Sequence, residues 1–207
     1  MTDPNSDELT IAPVEAAAAP SRRPVAPFLA LVLAVLIAVF VFILARAPKG
    51  DGPESAATPL LNQPAPRLIG VTLDGSSFDL AQRRGSWVVL NFFSTTCTPC
   101  REEHPSLVEF HDAQAAKPPE TRAELVSSVF YDSREHVEQF FREKGGGDWP
   151  IVLDEGNSGA LNYSVVKVPE TWIIDPNGIV RKHVITTLTA ERLESLLTQL
   201  RAEVVTP

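Results

Sequence analysis

Cysteine is nearly absent from this chain of 207 residues: there are two, Cys97 and Cys100. Two cannot build a disulfide-stapled scaffold, which needs several bridges. A structural zinc site needs four ligands at short spacing. The four histidines, His104, His111, His136 and His183, are scattered with no His-x3-5-His pattern to complete one. Basic charge is also short. Lys and Arg number 18 against 26 Asp and Glu, a net charge of -8, and no basic patch stands out, which argues against a nucleic-acid partner. The glycines are dispersed, and the run Gly145-Gly146-Gly147 follows a predicted helix instead of opening one, so no phosphate-cradling loop is formed. No internal repeat is visible.

What is present is a single Cys-x-x-Cys, in the run NFFSTTCTPCREEHP. Covalent haem attachment needs histidine directly after the second cysteine, and that residue is Arg101. A redox dithiol remains, with an inert pair of buried cysteines or a structural disulfide as the bland alternative. The surroundings favour the redox reading. A β-type apolar run, Trp87 to Phe93, leads into the pair, and a helix-compatible segment follows. Cys97 then sits at a helix N-terminus, where free N–H groups and the helix dipole favour a thiolate. Pro99 suits the first turn, where it has no N–H to lose.

A second feature lies upstream. No charge occurs from Pro24 to Ala45, and Phe28 to Ala45 is unbroken apolar sequence, close to the roughly 20 residues that span a bilayer as a helix. A cleaved signal peptide is the rival reading. The run exceeds the ~7–15 residues of a signal-peptide core, and Pro48 follows the small-x-small stretch Ala45-Arg46-Ala47 where a cut would fall. Residues 24–45 are therefore expected to be a transmembrane anchor, 1–23 a short cytoplasmic tail and 46–59 a flexible Pro/Gly/Ser/Ala-rich linker. Arg22 and Arg23 balance Arg46 and Lys49, so charge alone does not orient the anchor. A dithiol suits an oxidising compartment, which puts the domain outside the cytoplasm.

The globular domain, 60–207, reads as an ordered series. Leu68–Leu73 and Ser76–Leu80 form a hairpin at Asp74-Gly75. Trp87–Phe93 is a strand buried on both faces, and a helix runs from Pro99 to about Ala116, kinked at Pro105. A second buried strand covers Leu125–Tyr131. Ser133 caps a helix to Lys144, stopped by the three glycines. A short strand at Ile151–Leu153 and a short helix at Asn157–Tyr163 follow. Thr171–Ile174 and Ile179–Val184 pair across Asp175-Pro176-Asn177-Gly178, and Thr189 caps a last helix through Leu200. The result is an α/β fold with a mixed sheet.

This order, with CTPC after the first long strand and Val168-Pro169 before a later one, resembles the thioredoxin fold. More closely it resembles the membrane-anchored TlpA/ResA/CcmG group, over about Leu60 to Leu200. CTPCREEHP is similar to that group's active-site helix, VPETWIIDPNGIV to its cis-proline segment and hairpin, and the amino-terminal anchor to its topology. The resemblance implies a thioredoxin-like fold, a central mixed β-sheet flanked by helices, behind an N-terminal transmembrane helix. It implies that Cys97 attacks and Cys100 resolves. Pro169 is then the cis-proline beside the disulfide, and Val168 offers its backbone to a partner. Glu103 and Glu170 become acidic groups near the active site, although sequence alone weighs a solvated carboxylate evenly for Glu103. Two positions depart from the pattern. Thr96 replaces the group's usual tryptophan before the first cysteine, changing the apolar surface over the thiol. Asn91 stands where thioredoxins carry a buried aspartate, which leaves Glu103 as the carboxylate to take a proton from Cys100.

The implied activity is thiol–disulfide exchange without cofactor or metal. Its expected form is reduction of extracytoplasmic protein disulfides, of apocytochrome c or its maturation factors, with recharging by a membrane thiol donor. An oxidant of secreted proteins and a non-catalytic anchored binding module are the alternatives. A peroxiredoxin would need Pro-x3-Thr-x2-Cys, but Leu90 and Ser94 stand at those places before Cys97.

Overall fold

The computed structural model describes residues 26–46 and 58–205. The expected tail, 1–23, and nearly all of the expected linker lie outside the described residues. The chain divides into two compact units, Met1–Gly50 and Asp51–Pro207. The first contains helix α1, Ala26–Arg46. Leu29, Leu36 and Phe40 are among the exposed large apolar side chains on it. Counted on the described residues alone, no helix is both long and apolar enough to cross a membrane.

The second unit is built on one seven-stranded sheet in the order β2-β1-β5-β4-β3-β6-β7. Its strands are β1 (Ile69–Thr72), β2 (Ser77–Asp79), β3 (Trp87–Phe93), β4 (Ala123–Val129), β5 (Ile151–Leu153), β6 (Glu170–Ile174) and β7 (Val180–Val184). β3, β4 and β5 run parallel, and the remaining pairings are antiparallel. All seven residues of β3 are buried, because helices cover both faces of the central strands. Alternation along β3 sends Val89 and Phe93 to one face and Val88, Leu90 and Phe92 to the other, giving two core layers.

The first layer is closed by α2 (Thr98–Ala115), α3 (Arg134–Lys144) and α5 (Ala190–Val205), through Leu107, Phe110, Val137, Leu193 and Leu197. The second is closed by Leu68, Phe78 and the short α4 (Ser158–Asn162), with Tyr163 behind it. Caps set the helix starts. Ser133 Oγ accepts from His136 N–H at 3.3 Å, and Thr189 Oγ1 accepts from Arg192 N–H at 3.2 Å. α3 ends at Gly145, whose φ of +75° is open to glycine and costly for other residues. α2 continues through Pro105, which has no N–H to donate to the Arg101 carbonyl.

Several expected bounds shift, most of them by one residue. β4 begins two residues earlier than read, at Ala123, and ends at Val129; Phe130 N–H still bonds the Phe93 carbonyl, and Tyr131, at a φ of +45°, turns the chain out of the ladder. Leu80 leaves the hairpin for a 3-10 turn, Leu80–Arg83, capped by Asp79. α5 runs on to Val205, past Leu200. The chain enters the domain beside the start of β7, where Asn62 N–H donates to the Val180 carbonyl at 2.8 Å and Pro64 bridges Ile179. β7 runs in the same direction as β3, so this entry lies at the end of the sheet opposite Cys97.

Candidate active site

β3 ends at Phe93, and Ser94-Thr95-Thr96 carries the chain to Cys97, the N-cap residue of α2. Cys97 and Cys100 are joined by a disulfide, with Cα atoms 5.3 Å apart. The Cys100 N–H donates to Cys97 Sγ at 3.1 Å, so the sulfur occupies the place of a capping side chain. In the reduced protein that N–H and the helix dipole stabilise a Cys97 thiolate. Cys97 is half-buried, whereas Cys100 is 4% exposed. An incoming disulfide therefore reaches Cys97 first. Pro99 lies in the first turn and is exposed with Thr96 and Thr98.

The second wall is the loop before β6. The Val168–Pro169 peptide bond is cis, and the Val168 carbonyl oxygen lies 3.4 Å from Cys97 Sγ. Pro169 is buried, while Val168 is half-buried and touches both core layers. Glu170 follows this loop as the first residue of β6, and it is 3% exposed. Oε2 lies 2.8 Å from His183 Nε2, and Oε1 accepts from Val166 N–H at 3.4 Å. His183 in turn stacks on Trp172, with ring centroids 3.7 Å apart. Strand alternation explains the placement: Glu170 and Trp172 face one layer, Thr171 and Ile173 the other. Glu170 thus holds the cis-proline loop from below and does not line a partner's path.

Glu103 lies one helical turn past Cys100 on the same face of α2, and it is 2% exposed. It is not a solvated helix carboxylate. Oε1 accepts from Leu188 N–H at 2.8 Å and Oε2 from Asn91 Nδ2 at 3.2 Å. Asn91 Nδ2 also donates to Thr171 Oγ1 at 3.0 Å, tying β3, α2 and β6 together beneath the dithiol. Burial pushes Glu103 up from 4.5 to about 7, and the two hydrogen bonds only partly offset it. A carboxyl that titrates near neutrality can accept the Cys100 proton and return it. Arg101 and Glu102, one and two residues past Cys100, are exposed.

Two residues that sequence reasoning missed complete the site. Asp132 Oδ2 accepts from Thr95 N–H at 2.7 Å, Thr95 Oγ1 at 2.6 Å and Ser94 Oγ at 3.1 Å. Burial alone would raise the Asp132 carboxyl, yet these bonds, with one from Ser133 N–H, hold it below the usual range. Asp132 therefore fixes the segment leading into Cys97. The sequence signal was weak: an aspartate before a helix-capping serine reads only as a helix start. His104 is buried and contacts the Gly145 carbonyl through Nε2 at 2.9 Å. Burial lowers its pKa and Lys144 adds to this, against the opposing Gly145 bond. It locks α2 to the end of α3 among Phe140, Phe141 and Trp149. Among the described residues no cluster of His, Cys, Asp and Glu is arranged to hold a metal.

Residues 61–183 match the AhpC/TSA family. The thiol-disulfide oxidoreductase ResA of Geobacillus thermodenitrificans is 32% identical over 137 residues, 66% of this chain and 76% of that protein. The thioredoxin-like protein YneN of Bacillus subtilis is 30% identical over 138 residues, 65% of this chain and 77% of that protein. Among solved structures, a DsbF homologue from Corynebacterium diphtheriae superposes with a TM-score of 0.60 at 23% identity, over 74% of this chain and 96% of that one. StoA from Bacillus subtilis superposes with a TM-score of 0.54 at 23% identity, over 66% and 98%. A dithiol capping a helix beside a cis-proline, on a thioredoxin-like sheet with ResA as a relative, leads to one assignment: the chain belongs to the AhpC/TSA family and is a thiol–disulfide oxidoreductase of the ResA type.

Proposed function

We propose that this oxidoreductase works as a reductant of polypeptide disulfides outside the cytoplasm, held to the membrane by residues 24–45. The direction rests on likeness to the TlpA/ResA/CcmG group, and the observation that carries the exchange chemistry is Glu103, buried one turn past Cys100. The reaction begins when the Cys97 thiolate attacks a partner disulfide, forming a mixed disulfide and expelling the partner's other sulfur as a thiolate. Cys100, buried and protonated, must then lose its proton to attack Cys97 Sγ. Glu103, at about 7, is placed to take that proton. The Cys97–Cys100 disulfide forms and the partner leaves fully reduced. A membrane dithiol donor then reduces the Cys97–Cys100 disulfide, supplying two electrons and two protons and becoming a disulfide itself, and the dithiol is restored. The named partner class, apocytochrome c or its maturation factors, rests on likeness to the TlpA/ResA/CcmG group. The anchor rests on the uncharged run Pro24–Ala45.

The deciding experiment is deletion, followed by restoration with wild type or Cys97→Ser. Loss of c-type cytochromes, restored by wild type and not by Cys97→Ser, supports the reductant. If cytochromes persist while secreted proteins lose their disulfides, the oxidant reading replaces it. A mature amino terminus at Pro48, or a domain reached by protease only from the cytoplasmic side, refutes the anchor.

A further inference from the structure

Tyr131 is used by none of the chemistry above, yet it stands at the dithiol end of the sheet in a conformation that large side chains avoid. Its φ is +45°, and the other non-glycine residues at positive φ among the described residues are two asparagines and a serine. Asparagine tolerates the left-handed region through its short polar side chain, while a ring-bearing residue there is an outlier. Such outliers persist where the surroundings over-determine them, and they gather at functional sites.

The surroundings do over-determine this one. The Tyr131 N–H donates to Asn157 Oδ1 at 2.9 Å. On one side, Phe130 N–H donates to the Phe93 carbonyl at 2.8 Å. On the other, Asp132 Oδ2 accepts from Thr95 N–H at 2.7 Å. Both neighbours of Tyr131 are therefore bonded to the segment Phe93–Thr95 that delivers Cys97. Continued β alternation would have sent Tyr131 toward the layer that holds Val129. The left-handed turn directs it out of the sheet instead, and the residue is 71% exposed. Its ring stands edge-on to Phe130, centroids 4.6 Å apart, and Phe130 packs against the second core layer, as Val168 also does. Across the same rim Val166, three residues before the cis-proline, is 85% exposed. Directly before Cys97 the chain carries the small, polar Thr96.

An outward-facing ring, held at the dithiol end of the sheet by neighbours bonded to Phe93–Thr95, offers apolar contact that Thr96 does not. We propose that Tyr131 is a specificity-determining residue, whose ring packs against an apolar side chain flanking the disulfide of a polypeptide partner. The proposal rests on the polypeptide-reductant reading above. It adds which partners are favoured: flexible chains with an aromatic or large aliphatic residue beside the cysteine.

The test uses the full, reduced protein and three oxidised substrates. Two are disulfide-bridged peptides identical except for Phe or Gly beside the cysteine, and the third is oxidised glutathione. Tyr131→Gly removes the ring and suits a φ of +45°. Tyr131→Phe keeps the ring. Wild type and Tyr131→Phe should favour the Phe peptide over the Gly peptide by about two- to ten-fold in second-order rate constant, the range of one aromatic contact. Tyr131→Gly should lose that preference, with its thermal midpoint not lowered. A preference retained by Tyr131→Gly, or no preference in wild type, overturns the role of Tyr131 while leaving the reductant reading intact. Reduction of glutathione disulfide with neither peptide reduced overturns the polypeptide-reductant reading itself, and the role of Tyr131 with it.

Discussion

Replacing Glu103 by glutamine separates the proton-handling role of this carboxyl from its structural one. Burial holds the group at about 7 instead of 4.5. Each pKa unit corresponds to about 1.36 kcal/mol, so keeping Glu103 ionised in this site costs about 3 kcal/mol relative to an exposed glutamate. The native protein retains the proton over a window in which the unfolded chain has released it. The contribution of Glu103 to stability is therefore fully present below pH 4.5 and is lost as pH rises through about 7. Denaturant unfolding of the oxidised protein at about pH 5 and about pH 8.5 should show wild type losing about 3 kcal/mol more than Glu103→Gln between the two. Glutamine keeps the size of the side chain. Its carbonyl still accepts from Leu188 N–H, and its NH2 group can meet Asn91 Oδ1, which is buried without a partner among the described residues, if that amide turns over. The variant should therefore fold, at a cost of about 1 kcal/mol. In stopped-flow measurements on a preformed mixed disulfide at Cys97, resolution by Cys100 should slow by about 100-fold or more. The inflection near pH 7 should disappear with it. A variant that keeps the wild-type pH dependence in both assays refutes the assignment of the Cys100 proton to Glu103.

Alkylation of the reduced protein should modify Cys97 before Cys100, with an apparent pKa below the free-cysteine value of about 8.5; faster labelling of Cys100 reverses their roles. Cys100→Ser should accumulate partners as mixed disulfides on Cys97, visible as adducts that dithiothreitol releases, whereas Cys97→Ser should accumulate none. His104→Leu should flatten the acid side of the stability profile. The native histidine, its pKa lowered by burial, stays neutral while the unfolded one takes a proton, so wild type should lose stability as pH falls below about 6.5 and the variant should not. Asp132→Asn should cost about 1–3 kcal/mol by weakening the bonds to Ser94 and Thr95. In wild type the stability due to Asp132 is present above pH 3.8 and lost as pH falls through its lowered value, a loss that urea titration of the variant should lack.

The amino-acid sequence by itself determined the chemistry and most of the scaffold. Cys97 and Cys100 are the only thiols, and their spacing at the mouth of a strand–helix junction admits little besides a redox pair. Local signals placed most elements closely: the run Trp87–Phe93 as β3, Ser133 as the cap of α3, the three glycines as its stop, and Asp175–Gly178 as the turn of the β6–β7 hairpin. These were legible because each depends on residues within a few positions of one another. The ends of β4 and α5 were less so, since strand ends follow pairing with neighbours and helix ends follow packing. What only the tertiary structure decided were contacts between residues far apart in the chain. Glu103 is identical in sequence whether it faces water or the core. It becomes a group titrating near 7 because the fold buries it, a rise that hydrogen bonds from Asn91, 12 residues before it, and Leu188, 85 residues after it, only partly offset. Glu170 was expected beside the dithiol, but strand alternation turns it to the opposite face, onto His183. Asp132 and Tyr131 gave almost no local signal. Their part at the rim of the dithiol arises because parallel pairing of β3 with β4 brings the ends of both strands to the same edge of the sheet.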